Sequence, residues 1–297
     1  MLPSEPLLDD LIPTAGPAPV ASAPGPDPVA ATFVAPRDPD RFELKYWVPE
    51  SATEAALEYA RPYLILDPEI SKRGLLHQCS TSLYLETADM ASFRTHVDGA
   101  PDRFKLRVRA YGDPPAGMAF FEIKRKLDSR GVKTRAAVPV EFVKDILEGN
   151  YERLPDSMKG SARKNLEAFL AAQLRTQAQP LVLVRAFRES YCSADPHEEV
   201  RMTFDRRICY QPAMGASFDC DPDAWIPING EEQHGQQGPH ALIELKFAKL
   251  PPIWMRRLVE QMGLLRVGFS KYCSAVQAEL DKPYQIDQAW DMTARTR

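Results

Sequence analysis

No run of about 18 apolar residues occurs in the 297 residues, so no helical membrane span is expected. Cysteine is sparse. The five thiols, Cys79, Cys192, Cys209, Cys220 and Cys273, form no CxxC pair or other metal-binding spacing, which speaks against a zinc ribbon and a disulfide framework. Five scattered histidines form no ligand pattern; His234 and His240 fall in a polar, Gly-containing stretch that reads as a surface loop. Positive charge is not in surplus either: 37 Lys and Arg against 41 Asp and Glu leave a net charge of −4. Binding of nucleic acid through overall charge is therefore not expected. Walker A, GxGxxG, HExxH and GxSxG patterns are all missing, which removes the P-loop, dinucleotide, zincin and serine-hydrolase readings. The opening MLPSEPLLDDLIP has no Lys or Arg and no long apolar stretch, so it does not read as a secretory signal. An odd cysteine count without such a signal suits a reducing cytoplasm, the expected location.

Proline is abundant, and unevenly placed. Ten of the 27 prolines fall in the first 40 residues, among Ala, Gly, Ser and Asp. Such a stretch cannot bury enough apolar surface to offset its ordering entropy, so residues 1–38 are expected to be a disordered tail. Residues 39–280 are expected to form one domain, and 281–297 a second tail. Alternating apolar and polar residues mark eight strands, at 41–48, 81–87, 103–111, 119–127, 136–143, 180–191, 198–208 and 241–247. Helices are predicted over 51–61, opened by the capping box Ser51-Ala-Thr-Glu54, over 161–176, over 252–261 and after Lys271. The expected fold is α+β: a closed, antiparallel, eight-stranded β-tunnel with a polar lumen and flanking helices.

The parity of the charges points to the chemistry. Side chains alternate between the two faces of a strand. Arg41, Glu43 and Lys45 share a face opposite Phe42, Leu44, Tyr46 and Val48; Lys105, Arg107 and Arg109 share one opposite Leu106 and Val108. Glu122, Lys124 and Lys126 stand together, as do Arg201 and Asp205, and Glu244 and Lys246. A solvated sheet also carries its charges outward, but it normally mixes their signs. Three cations in a row, about 7 Å apart, repel one another and call for an anion between them. With the polar face turned inward, the lumen focuses positive potential. Arg forks and Lys ammonium groups suit phosphate oxygens, and Glu43, Glu122, Asp205 and Glu244 offer hard oxygen ligands for Mg²⁺ or Mn²⁺.

The motifs Glu43-Leu-Lys45, Lys105-Leu-Arg-Val-Arg109, Glu122-Ile-Lys-Arg-Lys126, Arg201-Met-Thr-Phe-Asp205, Glu244-Leu-Lys246 and Ser270-Lys-Tyr272 resemble, in order, those of the triphosphate tunnel metalloenzymes. Among these enzymes the chain is most similar to the VTC-type polyphosphate polymerase domain. The resemblance implies a metal-dependent transfer of the ATP γ-phosphate to a polyphosphate chain, with metal at Glu244. It implies that Lys45, Arg107, Arg109, Lys124, Arg188 and Lys271 surround the reacting phosphates and that Lys105, Lys126, Arg201 and Lys246 bind the rest. Near Arg188, Ala186 stands where the family usually has Tyr. A tripolyphosphatase or nucleoside triphosphatase of the same fold, and a non-catalytic polyphosphate-binding module, remain open. These ten cations and four acids carry a net +6, so the rest of the chain carries −10.

Overall fold

The computed structural model describes residues 41–127, 130–153, 158–229 and 238–282. The stretch 1–38, His234 and the segment from 283 onward lie outside the described residues. The chain runs through β1 (Arg41–Pro49), α1 (Thr53–Ala60), β2 (Leu64–Leu66), α2 (Pro68–Ser71), β3 (Gln78–Glu86), α3 (Ala91–Val97), β4 (Asp102–Gly112), β5 (Pro115–Leu127) and β6 (Arg130–Pro139). It continues through α4 (Val143–Leu147), α5 (Gly160–Thr176), β7 (Gln179–Ser193), β8 (Val200–Pro212), β9 (Ile226–Pro227), β10 (His240–Ala248), α6 (Ile253–Gln261) and α7 (Lys271–Leu280). Among the described residues no helix is long and apolar enough to cross a membrane.

All pairings are antiparallel. The strands follow the order β1-β10-β8-β7-β3-β4-β5-β6, with short β2 added to β7 and β9 to β8. The eight strands of this path are the eight that the alternation predicts. The closed eight-stranded tunnel is corrected in two respects: among the described residues the sheet has ten strands, and its backbone ladder does not close. A contact from outside the sheet competes for the free edge of β1. Tyr46 bridges Arg266, and the Val267 amide donates to the Lys45 carbonyl at 2.9 Å. This 266–267 strap takes the middle of that edge, at Lys45 and Tyr46.

Two local expectations also change. The strand expected over 136–143 lies earlier. Pro139 has no amide to donate and ends β6, and Val140–Phe142 turns into a 3₁₀ helix leading to α4. The capping box at Ser51 does not form. The chain enters α1 from β1 through a 3₁₀ turn, Glu50–Ala52, so Ser51 is already helical, and the Thr53 hydroxyl donates to the Glu50 carbonyl at 2.6 Å.

The sheet's two faces have different fillings. On one face, Leu106, Val108, Phe121 and Val138 bury against Leu166 and Phe169 of α5. Farther along the same face, Tyr46, Met202, Phe204, Ile243 and Leu245 bury against Leu57 of α1 and Trp254, Met255 and Leu258 of α6. The other face is divided. Part of it is charged. The rest, Tyr84, Val182, Val184, Ile208, Tyr210 and Leu242, is covered by Phe269 and by Tyr272, Ala275 and Val276 of α7. A bulge in β8 opposite Arg185–Phe187, with Arg207 at φ 48°, keeps Asp205, Ile208 and Tyr210 on this face. His240 is corrected from loop to strand. It begins β10, is 2% exposed, stacks on Trp47 and has Nδ1 3.0 Å from the Gly238 carbonyl.

Phe169 meets Phe121 edge to face, with ring centroids 5.1 Å apart at 88°. Phe169→Ala is expected to destabilise the fold by about 3–5 kcal/mol, read as a lower urea midpoint. A change below about 1 kcal/mol contradicts the docking of α5 as a core element.

Candidate functional site

The charged part of the inner face is built from two clusters. The first spans β1, β10, β8, β7 and the start of α7. In the β1–β10 register Glu43 faces Lys246, and Lys45 faces Glu244, so opposite charges cross the ladder in both pairs. Lys45 Nζ lies 3.3 Å from Glu43 and 3.8 Å from Glu244; Lys246 Nζ lies 3.0 Å from Glu244 and 3.8 Å from Glu43. Arg188 on β7 grips Asp205 on β8 with two bonds of 2.6 Å and reaches Glu244 at 3.1 Å. Lys271, the first residue of α7, donates to Asp205 as well. Asp205 is 1% exposed and Glu244 6%. Burial pushes both carboxyl pKa values up, but the cations outweigh it. Arg188 and Lys271 bring Asp205 down to about 2, and Arg188 and Lys246 hold Glu244 well below the usual range.

The second cluster spans β3, β4, β5 and β6. Glu122 is fully buried and takes three cations: Arg107 at 2.6 Å, Lys133 at 2.6 Å and Arg135 at 3.2 Å. Burial raises its pKa, but Arg107, Arg109 and Lys133 hold it well below the carboxylate range. Arg107 also donates to the Tyr84 hydroxyl at 3.2 Å, and Arg109 to Ser82 at 3.3 Å. Lys105 donates to the Ser270 hydroxyl at 3.2 Å and sits 5.2 Å above the Tyr272 ring. Burial lowers the Lys105 and Lys133 pKa values to about 8. The Tyr84 pKa is raised by burial but brought down to about 8 by Arg107, Lys105 and Arg109.

The two clusters face one another. Lys124 on β5 lies within the electrostatic reach of Glu43, Lys45 and Lys246 on the opposite edge of the sheet. Water reaches Lys124, yet the surrounding protein desolvates it and lowers its pKa. The structure therefore gathers Glu43, Lys45, Lys105, Arg107, Arg109, Glu122, Lys124, Arg188, Asp205, Glu244, Lys246 and Lys271 on one inner face. Two expected residues stand at its margin. Arg201 is half exposed and tied to Asp67 at 2.6 Å. Lys126, exposed, pairs in register with Arg103 and Gly131. Sequence reasoning missed Lys133 and Arg135, because the strand that carries them was placed too late. Their spacing opposite Glu122 and Lys124 in the β5–β6 register was the available signal.

Among the described residues no three His, Cys, Asp or Glu side chains stand together as a ready metal site. Glu122 is committed to its three cations, apart from the other acids. Glu43 and Glu244 do meet, bridged by the same two lysines. Mg²⁺ or Mn²⁺ with phosphate takes only one or two carboxylates beside phosphate oxygens and water, so this pair fits such an ion.

Residues 40–280 match the family model described as the VTC domain. The chain belongs to the VTC domain family. No curated protein matches it. Among solved structures, a Bacillus halodurans protein proposed to be an adenylate cyclase is 11% identical, with a TM-score of 0.43, over 78% of this chain and 95% of that one. The PH1819 protein of Pyrococcus horikoshii OT3 is also 11% identical, with a TM-score of 0.39, over 81% of this chain and 99% of that one.

The groups of this VTC domain that titrate near pH 8 generate a prediction. Lys105 and Lys133 lose charge, and Tyr84 gains negative charge, as pH rises through about 8. A bound polyanion favours the protonated forms, so its binding takes up protons there. Tripolyphosphate affinity is expected to fall from pH 7 to pH 9. Calorimetry at pH 8 should show heats that vary with the ionisation enthalpy of the buffer; heats independent of buffer contradict the assignment. A second prediction concerns Glu122. Glu122→Gln leaves the Arg107 guanidinium without its carboxylate and is expected to cost about 3–5 kcal/mol of stability in urea unfolding. An unchanged midpoint refutes its anchoring role.

Proposed function

We propose that this VTC-domain chain is a polyphosphate polymerase that transfers the γ-phosphate of ATP to a polyphosphate chain with Mn²⁺ or Mg²⁺. The observation that carries the reading is the facing pair of cation clusters on one inner face, each anchored by buried carboxylates, in a family member whose whole-chain charge is negative. A linear polyanion is the complement of that face.

Phosphoryl transfer needs in-line positioning and charge stabilisation more than covalent help from the protein. A terminal phosphate oxygen of the acceptor attacks the γ-phosphorus. The bond from that phosphorus to the β–γ bridging oxygen breaks, and ADP leaves with the electron pair. The acceptor oxygen is already anionic, so no general base is required. Arg107, Arg109 and Lys124 on one side, and Arg188, Lys45 and Lys271 on the other, stabilise charge on the transferring group. Lys105, Lys126, Arg201 and Lys246 hold the remaining phosphates. Asp205 and Glu122 fix the guanidinium planes of Arg188 and Arg107, which lowers the reorganisation needed when phosphate arrives. Glu43 and Glu244 would hold the metal ion, which supplies charge neutralisation across adjacent phosphates.

Incubation with ATP and Mn²⁺, followed by ³¹P NMR, is expected to show the signal of internal chain phosphates. Orthophosphate alone overturns the polymerase and leaves a triphosphatase; tight tripolyphosphate binding without turnover leaves a binding module. Glu244→Ala is expected to reduce turnover about 100-fold or more. Full retention removes Glu244 from the metal site.

A further inference from the structure

A cleft of about 450 Å³ opens beside the charged face, between the 266–267 strap, the C-terminal end of α3, the start of β4 and the first turn of α7. It shares three residues with the site already described. Glu43 and Lys45 line it, and so does Ser270, the acceptor of the Lys105 ammonium. The cleft is therefore continuous with the triphosphate-binding face. Its outer wall carries two further guanidinium groups, Arg103 and Arg266.

These arginines differ from the inner ones. Arg107 and Arg188 each have a buried carboxylate. Among the described residues no carboxylate forms an ion pair with Arg103 or Arg266; Arg103 donates to the Ala100 carbonyl, and Arg266 bridges Tyr46 through its backbone. The positive field there is felt by His96, which lines the same cleft with Nδ1 2.8 Å from the Ser92 carbonyl. Burial, then Lys105 and Arg103, lower its pKa to about 4, so it stays neutral. The one acid lining the cleft, Glu43, is held by Lys45 and Lys246. The cations at the outer wall are thus left uncompensated, next to an inner face whose cations are anchored.

We infer that this cleft is a second phosphate subsite, in which Arg103 and Arg266 bind the units of a linear polyphosphate that extend beyond the three held on the inner face. The inference rests on the reading of the inner face as a triphosphate site. A nucleoside could stack on a guanidinium plane but would leave both charges uncompensated, whereas a polyanion continuing from the inner face neutralises them. The start of α7 borders the cleft with Ser270, Cys273 and Ser274, and the helix covers the apolar part of the same face with Tyr272 and Val276. The exposed basic face of α5 is a weaker competitor, since its Arg163 is already paired with Glu167 at 3.1 Å.

The test compares calorimetric affinities of the full chain for tripolyphosphate, ATP and a long polyphosphate chain, with and without Arg103→Gln combined with Arg266→Gln. Both side chains are partly or fully exposed, so the fold is expected to persist, as checked by circular dichroism. The expected result is a loss of about tenfold or more for the long chain, with tripolyphosphate within twofold of the unsubstituted protein. The salt dependence of long-chain binding should also flatten by about two counterions, one for each lost cation. Equal losses for tripolyphosphate and the long chain, or no loss for either, overturn the subsite. A loss confined to ATP overturns it in favour of a nucleoside pocket. If the unsubstituted chain binds none of the three, the triphosphate reading falls as well; if it binds them and the variant is indistinguishable, only the subsite falls.

Discussion

Cations of like sign cannot be crowded on one concave face unless something holds them there, and the rest of the structure is arranged around that constraint. Glu122, Asp205 and Glu244 are the holding groups. Each is nearly or fully buried, each is kept ionised by the cations it binds, and each reaches cations from two or more elements of the fold. Isolated, any of these carboxylates would be neutralised by burial; surrounded by guanidinium and ammonium groups, they become fixed negative points about which the cations are oriented. The arrangement orients the cations through protein contacts alone, before any ligand is bound.

The remainder of the fold protects this face from two directions. On the back of the sheet, α5, α1 and α6 cover the apolar side, which commits the charged residues to the front. On the front, α7 covers the mainly apolar part, where its Tyr272 hydroxyl donates to buried Glu86, and delivers Lys271 to Asp205 at its first residue. The helix thus combines a packing role with an electrostatic one. Tyr272 buries its ring in the apolar filling while Lys105 rests above it, so the boundary between the dry and the charged halves runs through a single side chain.

Much of this was legible in the amino-acid sequence, because a two-residue period is a direct statement about which side chains share a face. The alternation in 41–48, 105–109 and 242–247 placed Glu43 with Lys45, Arg107 with Arg109 and Glu244 with Lys246, and the observed ion pairs join residues of those faces. Family resemblance added Arg188 and Lys271, which no alternation would single out. Other features were hidden for physical reasons. The sequence around Pro139 alternates like a strand, but the missing amide ends the ladder, and the true β6, with Lys133 and Arg135, lies before it. The anchoring partners of Glu122 depend on register between separate strands, which a local pattern does not encode. The strap at 266–267, set against the free edge of β1, is a tertiary contact that no local pattern announces.

That open seam has a mechanical consequence. In a fully hydrogen-bonded barrel, strand number and shear fix the girth, and no wall can move outward without breaking backbone bonds. Here the β6 edge and the strapped edge of β1 are joined by no ladder, and side chains of opposite sign face one another across the inner space. The bore is therefore set by electrostatics and by what fills it. On the function proposed above, a hydrated metal on a phosphate chain would be wider than the bare chain, and no ladder between these two edges would have to break to admit it.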